Sequence, residues 1–201
     1  AVALDGYRLA LRREPCNTAG ENEPVIIPAR SMLEISRILE DADDTIAITF
    51  AKTHVLFDMD HTRIVTRLIE GEFTRYRQIL PTEHKSRVRI NRQQLLDSIE
   101  RASLVAREDK SNLVKMHFKA DGLHISANSE AGMLDEEVNI DLLGEEIKIA
   151  FNARYFTDVL KALDDEEIYL DMNNNINPCV VKPIQGDRFY YLILPMRLFN
   201  H

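Results

Sequence analysis

The sequence has few cysteines and no long hydrophobic run. Its 201 residues include two cysteines, Cys16 and Cys179, which lie far apart and form no CxxC pair. We therefore expect neither a disulfide framework nor a cysteine-rich zinc site, and a reducing cytoplasm fits. The apolar runs have the length of strands, well below the roughly 20 residues of a membrane-spanning helix. The chain starts at Ala1 without a basic segment followed by an apolar one, so we expect no signal peptide and interpret the start as a cut in a longer chain.

Motifs of catalysis and metal binding are also missing from the sequence. Its six histidines form no HxH or HxxxH pair, and there is no GxSxG, P-loop or GxGxxG element. Adjacent acids such as Asp164 and Asp165 follow a predicted helix, and we interpret them as solvated turns rather than an acid–base pair. We therefore expect no catalytic residue, no metal and no cofactor, although an enzyme is the main rival class.

The charge of the chain is acidic, with a formal net charge of −8 at pH 7 and a pI near 5.3. Bulk charge alone argues against nucleic-acid binding, because contacts with phosphates need basic residues. The question is whether the basic residues are gathered on one surface.

One pattern occurs three times along the chain: a short apolar strand, a helix-opening residue and an amphipathic helix. The openers are Pro28, Asn91 and Asn152, about sixty residues apart, and both residue types are favoured where a helix begins. Three further strands are predicted after each helix, at residues 45–50, 54–58, 62–69, 113–118, 123–127, 136–140, 168–172, 179–183 and 189–194. Few helices among many strands predict an α+β fold of repeated units, with antiparallel sheets and helices on one face.

Helical periodicity predicts which side chains share a face of each helix. In the first helix Met32, Ile35 and Leu39 form the apolar stripe, and charged residues lie opposite. The first and third helices both carry two cations at the same spacing, about two turns apart. We therefore expect a shared surface for an extended anion such as a DNA duplex. The alternative is that these are solvated helix faces whose charges pair with each other. The predicted DNA-facing side chains are Arg30, Arg37, Arg101, Arg107, Arg154 and Lys161.

Four segments resemble bacterial sliding clamps, the beta subunits of DNA polymerase III. ALDGYRLAL resembles the DGxRLA segment of their middle domain, and LIEGEFTRYRQILP resembles the segment that crosses into their last domain. FNARYFTDVLKAL and the C-terminal YYLILPMRL are similar to the third helix and the terminal strand of that last domain. The four segments occur in the family's order and cover essentially the whole chain.

This resemblance implies a DNA clamp fold and a particular division of the chain. Residues 1–76 would be a partial middle domain that lacks its N-terminal repeat, and residues 77–201 would be a complete C-terminal domain. The full subunit would pair as a homodimer ring in the cytoplasm at the nucleoid, with helices lining the hole and sheets outside. It would be a non-catalytic processivity factor, although the family is associated with polymerase activity through the holoenzyme to which it belongs.

The resemblance also implies a pocket in which short linear motifs of the polymerase, the clamp loader and repair proteins dock. Apolar residues would receive the hydrophobic side chains of the motif, and Arg and Asn would fix its polar groups. The pocket residues carried over by motif are Gly6, Tyr7, Arg8, Leu9, Thr74, Gln78, Ile79, Asn152, Tyr155, Ile176, Pro178, Leu192, Leu194, Pro195, Met196, Arg197 and Leu198.

The sequence departs from the family pattern at several of these positions. Tyr7 stands where His is common, and Thr74 and Gln78 stand where Pro and Arg occur in some members. Residues 107–112 align poorly, and residues 199–201 extend beyond the usual end. The alternative function is a protein-interaction module of the same fold that does not bind DNA, and its basic helix positions could be lost without effect.

Overall fold

The structure is a computed structural model that describes residues 1–17, 23–39, 45–59, 61–107, 111–130 and 132–197. Its helices are α1 (Ala29–Ile38), α2 (Arg92–Ala106) and α3 (Ala153–Lys161). Its strands are β1 (Val2–Leu4), β2 (Arg8–Arg12), β3 (Ala47–Phe50), β4 (His54–Met59), β5 (Thr62–Arg67), β6 (Ser86–Asn91), β7 (Leu113–Lys119), β8 (Gly122–Ser129), β9 (Gly132–Val138), β10 (Asp141–Gly144), β11 (Ile147–Asn152), β12 (Glu167–Met172), β13 (Cys179–Pro183) and β14 (Phe189–Ile193). No helix within the described ranges is long and apolar enough to cross a membrane.

The strands form three sheets, and every strand pair in them is antiparallel. The largest sheet has the order β1-β2-β14-β13-β12-β6-β10, the second has β11-β7-β8-β9, and the third has β3-β4-β5. The predicted α+β class with antiparallel sheets is therefore confirmed.

The chain divides into two compact units. The larger unit contains Ala1–Glu14 and Gln78–His201, and the smaller unit contains Pro15–Arg77. The first fourteen residues belong to the larger unit because β2 is hydrogen-bonded to β14. The division into residues 1–76 and 77–201 stays a prediction, since it joins those fourteen residues to the smaller unit.

In the larger unit, the two predicted repeats exchange their first strands. β6 leads into α2 but pairs with β12, which follows α3. In the same way, β11 leads into α3 but pairs with β7, which follows α2. Each of the two sheets therefore needs strands from both repeats, and the two repeats share one core.

The helices of the larger unit begin where the sequence predicts. The Asn91 side chain accepts a hydrogen bond from the backbone N–H of Gln94, and the Asn152 side chain accepts one from that of Arg154. Such caps satisfy backbone donors that a helix leaves free at its start. Pro28 precedes α1 without a side-chain cap, and its φ of −57° suits a helix entry.

The core of the larger unit lies between its two helices and its two sheets. α2 and α3 pack on each other, α2 covers β7, β8 and β9, and α3 contacts β11 and β14. Leu95 and Ile99 of α2 and Phe156 and Leu160 of α3 are fully buried at this layer. Burial of one such side chain contributes about 1.5–3 kcal/mol to folding, so the helix–sheet layer dominates the stability of this unit.

The smaller unit has a thinner core. Ile35 of α1 packs with Val55, Phe57 and Met59 of β4. Met32, predicted to share the apolar stripe with Ile35, is instead 43% exposed. The reason is that, within the described part of this unit, α1 packs on one sheet and has no second helix beside it.

The strand predictions are confirmed at all nine positions after the helices, with boundary shifts of a few residues. β13 has the predicted bounds, whereas β9 starts and ends earlier than expected. β1, β2 and β10 were not predicted, and residues 25–27 form a single bridge, from Ile26 to Ile69, instead of a strand. These segments are short, and their pairing depends on partners that are distant in the sequence.

Candidate functional site

An apolar row of side chains crosses the largest sheet near the edge that is formed by β1. Val180 of β13 lies opposite Leu192 of β14, Leu192 lies opposite Leu9 of β2, and Leu9 lies opposite Leu4 of β1. Val180, Leu192 and Leu9 are buried but do not belong to the core under the helices. Successive strand residues point to opposite faces, so this apolar row lies on the sheet face that is turned away from α2 and α3.

An aromatic and charged cluster lies at the same edge, where the turn between β1 and β2 meets α3. The rings of Tyr7 and Tyr155 are stacked, with centroids 5.7 Å apart and an interplanar angle of 22°. The Arg8 guanidinium lies 4.8 Å from the Tyr155 centroid, and its Nη1 donates to Asp158 Oδ2 at 2.6 Å. Tyr7 remains 60% exposed, so this cluster has an aromatic face open to a partner.

Asp5 shapes the turn that presents this cluster. Its Oδ1 accepts hydrogen bonds from the backbone N–H groups of Tyr7 and Arg8, and its Oδ2 accepts from Arg8 Nε at 3.0 Å. Burial raises the pKa of Asp5, but these hydrogen bonds outweigh burial and lower the pKa below its usual value. Asp followed by Gly6 is a sequence typical of a tight turn, and here the turn connects β1 to β2.

The segment after β14 continues past the same edge. The backbone N–H of Leu194 donates to the carbonyl of Tyr7 at 2.9 Å, and that of Met196 donates to the carbonyl of Ala150 at 2.7 Å. Leu194 and Arg197 are exposed, and Pro195 and Met196 are half-buried. Leu198, also predicted for the pocket, lies outside the described residues.

The other predicted pocket residues differ in their exposure and hydrogen bonding. The Asn152 side-chain oxygen caps α3, and its amide nitrogen donates to the Ser111 carbonyl. Both polar groups of this side chain are therefore hydrogen-bonded within the protein. Gln78, Ile79 and Ile176 are exposed, Pro178 is half-buried beside Cys179, and Thr74 is exposed in the smaller unit. The place of these side chains in a pocket stays a prediction.

Sequence reasoning missed three residues of this edge. Asp5 and Asp158 anchor Arg8 from two sides, and Val180 extends the apolar row. The Asp-Gly pair was a local signal for the first. The partner of Asp158 is 150 residues away in sequence, so no local pattern could have revealed it.

The predicted DNA-facing cations are all exposed, but three of them are paired with carboxylates. Arg101 makes two bonds to Glu136, at 2.6 and 2.9 Å, Lys161 lies 2.7 Å from Glu100, and Arg37 lies 3.0 Å from Glu34. The hydrogen bond with Arg101 lowers the pKa of Glu136. Arg30, Arg107 and Arg154 have no ion pair with any residue that the structure describes.

A cleft between α2 and α3 opens on the same charged surface. It has a volume of about 480 Å³ and is lined by Asp97, Glu100, Arg101, Ser103, Leu104 and Thr157. Its walls carry both signs of charge, because Glu100 and Arg101 are neighbours there. The cleft is therefore suited neither to an anion nor to a cation in particular.

Chemically reactive arrangements are not found in the described part of the chain. Among its residues, no group of three or more His, Cys, Asp or Glu side chains converges in a way that could hold a metal ion. Cys179 is fully buried, and burial raises the pKa of its thiol far above the usual value. The thiolate form that a nucleophile needs is thus disfavoured at this position.

Comparisons with known proteins match the chain over nearly its whole length. The family model described as DNA polymerase III beta subunit, central domain matches residues 1–75, and the one described as its C-terminal domain matches residues 77–197. Proteins named beta sliding clamp from Staphylococcus epidermidis and Staphylococcus aureus are 35% and 34% identical over 200 residues. These alignments cover 98% of this chain and 53% of each relative, so the chain spans about half the length of the relatives it matches.

Solved structures give the same result for the fold. A DNA polymerase III beta subunit from Eubacterium rectale is 36% identical with a TM-score of 0.92, and the match covers 98% of this chain and 54% of that one. The DNA polymerase sliding clamp of Bacillus subtilis is 33% identical with a TM-score of 0.92, covering 98% and 53%. The fold is therefore that of a DNA clamp, a binding architecture of repeated strand–helix units. Together with the two domain matches, this shows that the chain belongs to the DNA polymerase III beta subunit family.

Proposed function

We propose that the protein is a non-catalytic processivity factor of DNA replication, a sliding clamp that encircles duplex DNA and tethers other proteins to it. The observation that carries this proposal is the apolar row of Val180, Leu192 and Leu9 next to the Tyr7–Tyr155 stack, in a chain of the beta subunit family. Polymerase, clamp loader and repair proteins would dock there through short linear motifs, as the family resemblance implies.

The chemistry of this edge suits an extended peptide with apolar side chains. Leu9 and Leu192 offer an apolar floor, and the stacked tyrosines offer an aromatic wall at low conformational cost. The Arg8 guanidinium is held by two carboxylates, so it orders the wall and is less available to bind an acidic group of the peptide. We therefore expect a motif of the Gln-Leu-x-Leu-Phe type, in which apolar side chains supply most of the affinity.

A peptide titration tests the pocket directly. The 201-residue chain is titrated into a fluorescently labelled Gln-Leu-x-Leu-Phe peptide, and anisotropy gives the Kd. Tyr7→Ala and Leu192→Ala are each expected to weaken binding about tenfold or more, because truncating a residue that anchors the bound peptide has an effect of this size. Leu143→Ala is the matched control, because Leu143 is exposed on β10 at the opposite edge of the same sheet. A folded protein that binds no such peptide would remove the pocket from the proposal.

Contact with DNA is proposed to involve the exposed faces of the helices. Arg30 and Arg154 lie in the first turns of α1 and α3, where a cation opposes the helix dipole and gains no local stability from it. Together with Arg107 at the end of α2, they are free to approach phosphates. Contacts of this type carry no sequence information, which suits a protein that slides.

A protein-interaction module that never touches DNA is the second candidate function. The ion pairs of Arg37, Arg101 and Lys161 favour it, because a paired cation offers less charge to a phosphate. Replacing Arg30, Arg37, Arg154 and Lys161 with Glu in the intact ring separates the two candidates. A clamp would lose loading or retention on DNA and keep peptide binding, whereas the module would behave as before.

Ring formation and location are proposed with the function. Head-to-tail pairing into a homodimer ring is supported by β9, which is the edge strand of its sheet and carries the exposed Met133. An edge strand with free backbone groups can pair with another chain. Sedimentation of the full-length subunit is expected to give a dimer. A protein with this function would work in the cytoplasm, at the nucleoid.

A further inference from the structure

The exposed surface of α2 and α3, here called the helical face, carries cations that differ in their surroundings. Lys161 of α3 reaches across to α2 and lies 2.7 Å from Glu100. Arg101 of α2 makes two bonds to Glu136 of β9, and its Nη2 also donates to the Ser98 hydroxyl at 3.1 Å. Arg154, by contrast, has no ion pair with a described residue. On the helical face, Lys161 and Arg101 are thus restrained by carboxylates, whereas Arg154 is not restrained by any described residue.

The two restraining acids come from different elements, so the pairing is not a local consequence of helix spacing. Glu100 and Lys161 are on adjacent helices, and Glu136 is on a strand beneath α2. Glu136 lies opposite the buried Ile125 in the β8–β9 ladder, so its side chain points to the helix side of the sheet. Its neighbour Glu137 lies opposite His124 and points to the other side.

We propose that Glu100 and Glu136 attenuate the contact between the helical face and the DNA backbone by holding Lys161 and Arg101. This inference rests on the proposed DNA contact and deepens it. A phosphate must compete with a carboxylate for each of these two cations, so the face contributes little net affinity. Weak contact lets a ring move along the duplex, since each step then breaks few strong bonds.

The physical effect has a distinctive signature in salt dependence. Each cation that neutralises a phosphate releases counterions, and the slope of log Kobs against log salt changes by about −0.9 per phosphate contacted. A cation held by a carboxylate neutralises a phosphate less completely, so it releases fewer of the DNA's counterions and adds less to this slope. Removing the carboxylate should therefore strengthen binding, which is the opposite of what loss of a structural contact would do.

The experiment uses the 201-residue chain and a fluorescein-labelled duplex, with anisotropy measured from about 20 to 200 mM salt. The variants are Glu100→Gln, Glu136→Gln and the double substitution. Glu137→Gln is the matched control, because it makes the same change in net charge at the next residue, on the opposite face of the sheet. Thermal unfolding of each variant checks that the fold is intact.

The expected result is a gain of binding. Exposed ion pairs are weak, so each of the two single variants should bind the duplex about two- to fivefold more tightly at low salt than Glu137→Gln. Each should steepen the salt slope by up to about 0.9. If both match Glu137→Gln while Arg154→Glu still weakens binding, the attenuation is wrong and the DNA contact stands. If neither Arg154→Glu nor any of the Gln variants changes binding, or none binds the duplex, the DNA contact itself is wrong and the inference falls with it.

Discussion

The buried carboxylate of Asp171 is expected to be a main electrostatic support of the larger unit. It is 3% exposed on β12, accepts from Arg87 at 2.7 and 2.8 Å, and lies 2.7 Å from Lys182. His84 Nδ1 lies 3.7 Å away. Asp171→Asn would leave Arg87 and Lys182 facing each other without an anion between them.

The geometry of the cluster sets the size of the expected loss in unfolding free energy. Breaking a fully buried ion pair by removing one partner costs about 3–5 kcal/mol. Both cations reach partly into solvent, and each also lies against a tyrosine ring, Arg87 against Tyr169 at 4.8 Å and Lys182 against Tyr190 at 5.1 Å. We therefore expect the unfolding free energy to fall by about 2–3 kcal/mol, since water and the tyrosine rings partly replace the contacts that the two cations lose. At about 2–4 °C per kcal/mol, this lowers the Tm by roughly 4–12 °C.

The same cluster predicts a pH dependence. Burial raises the pKa of Asp171, but hydrogen bonds from Arg87 and Lys182 outweigh it, and the net pKa lies below the usual value. The folded state therefore binds this proton less readily than the unfolded state. Its stabilisation is present above the unfolded pKa of about 3.9 and is lost as the pH falls further. The difference in unfolding free energy between the wild type and Asp171→Asn should therefore become smaller below about pH 4.

Urea unfolding at pH 7 and at pH 3 to 5 measures both effects. Asp187→Asn is the control, because Asp187 forms an exposed ion pair with Arg13 at 2.8 Å, and such pairs contribute about 0–1 kcal/mol. The reasoning is refuted if the two variants lose equal stability at pH 7. It is also refuted if the gap between Asp171→Asn and the wild type persists unchanged at pH 3.

Further predictions concern backbone positions in the same unit. Gly144→Ala should lose about 2–4 kcal/mol in urea unfolding, because φ is +110° and a Cβ would lie 2.0 Å from the Lys85 carbonyl oxygen. Gly186→Ala, with φ +73° and open space, should lose clearly less. Asn91→Ala should lose about 1 kcal/mol with its cap. Asn152→Asp should keep the cap but lose the bond to the Ser111 carbonyl, so thermal unfolding should place it below Asn91→Asp.

Much of the fold could be predicted from the sequence, because local signals mark the elements. Asn91 and Asn152 cap helices where strand-like periodicity gives way to helical periodicity. The exchange of β6 and β11 between the repeats could not be predicted, since both strands have equivalent local patterns and only tertiary packing selects their partners. β10 is four residues long, and its pairing with β6 joins segments that are about fifty residues apart in the sequence.

The candidate site was predictable in its residue types and less so in its contacts. The family motifs place Tyr7, Arg8 and Leu9 at one edge, and the structure joins them to Tyr155 and Leu192. The motifs do not say that neighbours on β2 face opposite sides of the sheet. The ion pairs of Arg101 and Lys161 could not be predicted either, because their partners come from other elements. These pairs depend on the packing of α2 on β9 and α3.

The two proposed activities, peptide binding and DNA contact, use different faces of the larger unit. The apolar row of Leu9 and Leu192 lies on one side of the largest sheet, and the cations of the helical face lie on the other. Helix α3 is the element common to both, because it carries Arg154 on its exposed face and also Asp158, which holds Arg8 at the edge of β2. Effects of substitutions on peptide and DNA binding should thus be separable everywhere except on α3. We expect any coupling between a docked partner and the duplex to pass through α3, by way of the Tyr7–Tyr155 stack, the Arg8–Asp158 ion pair or movement of the helix.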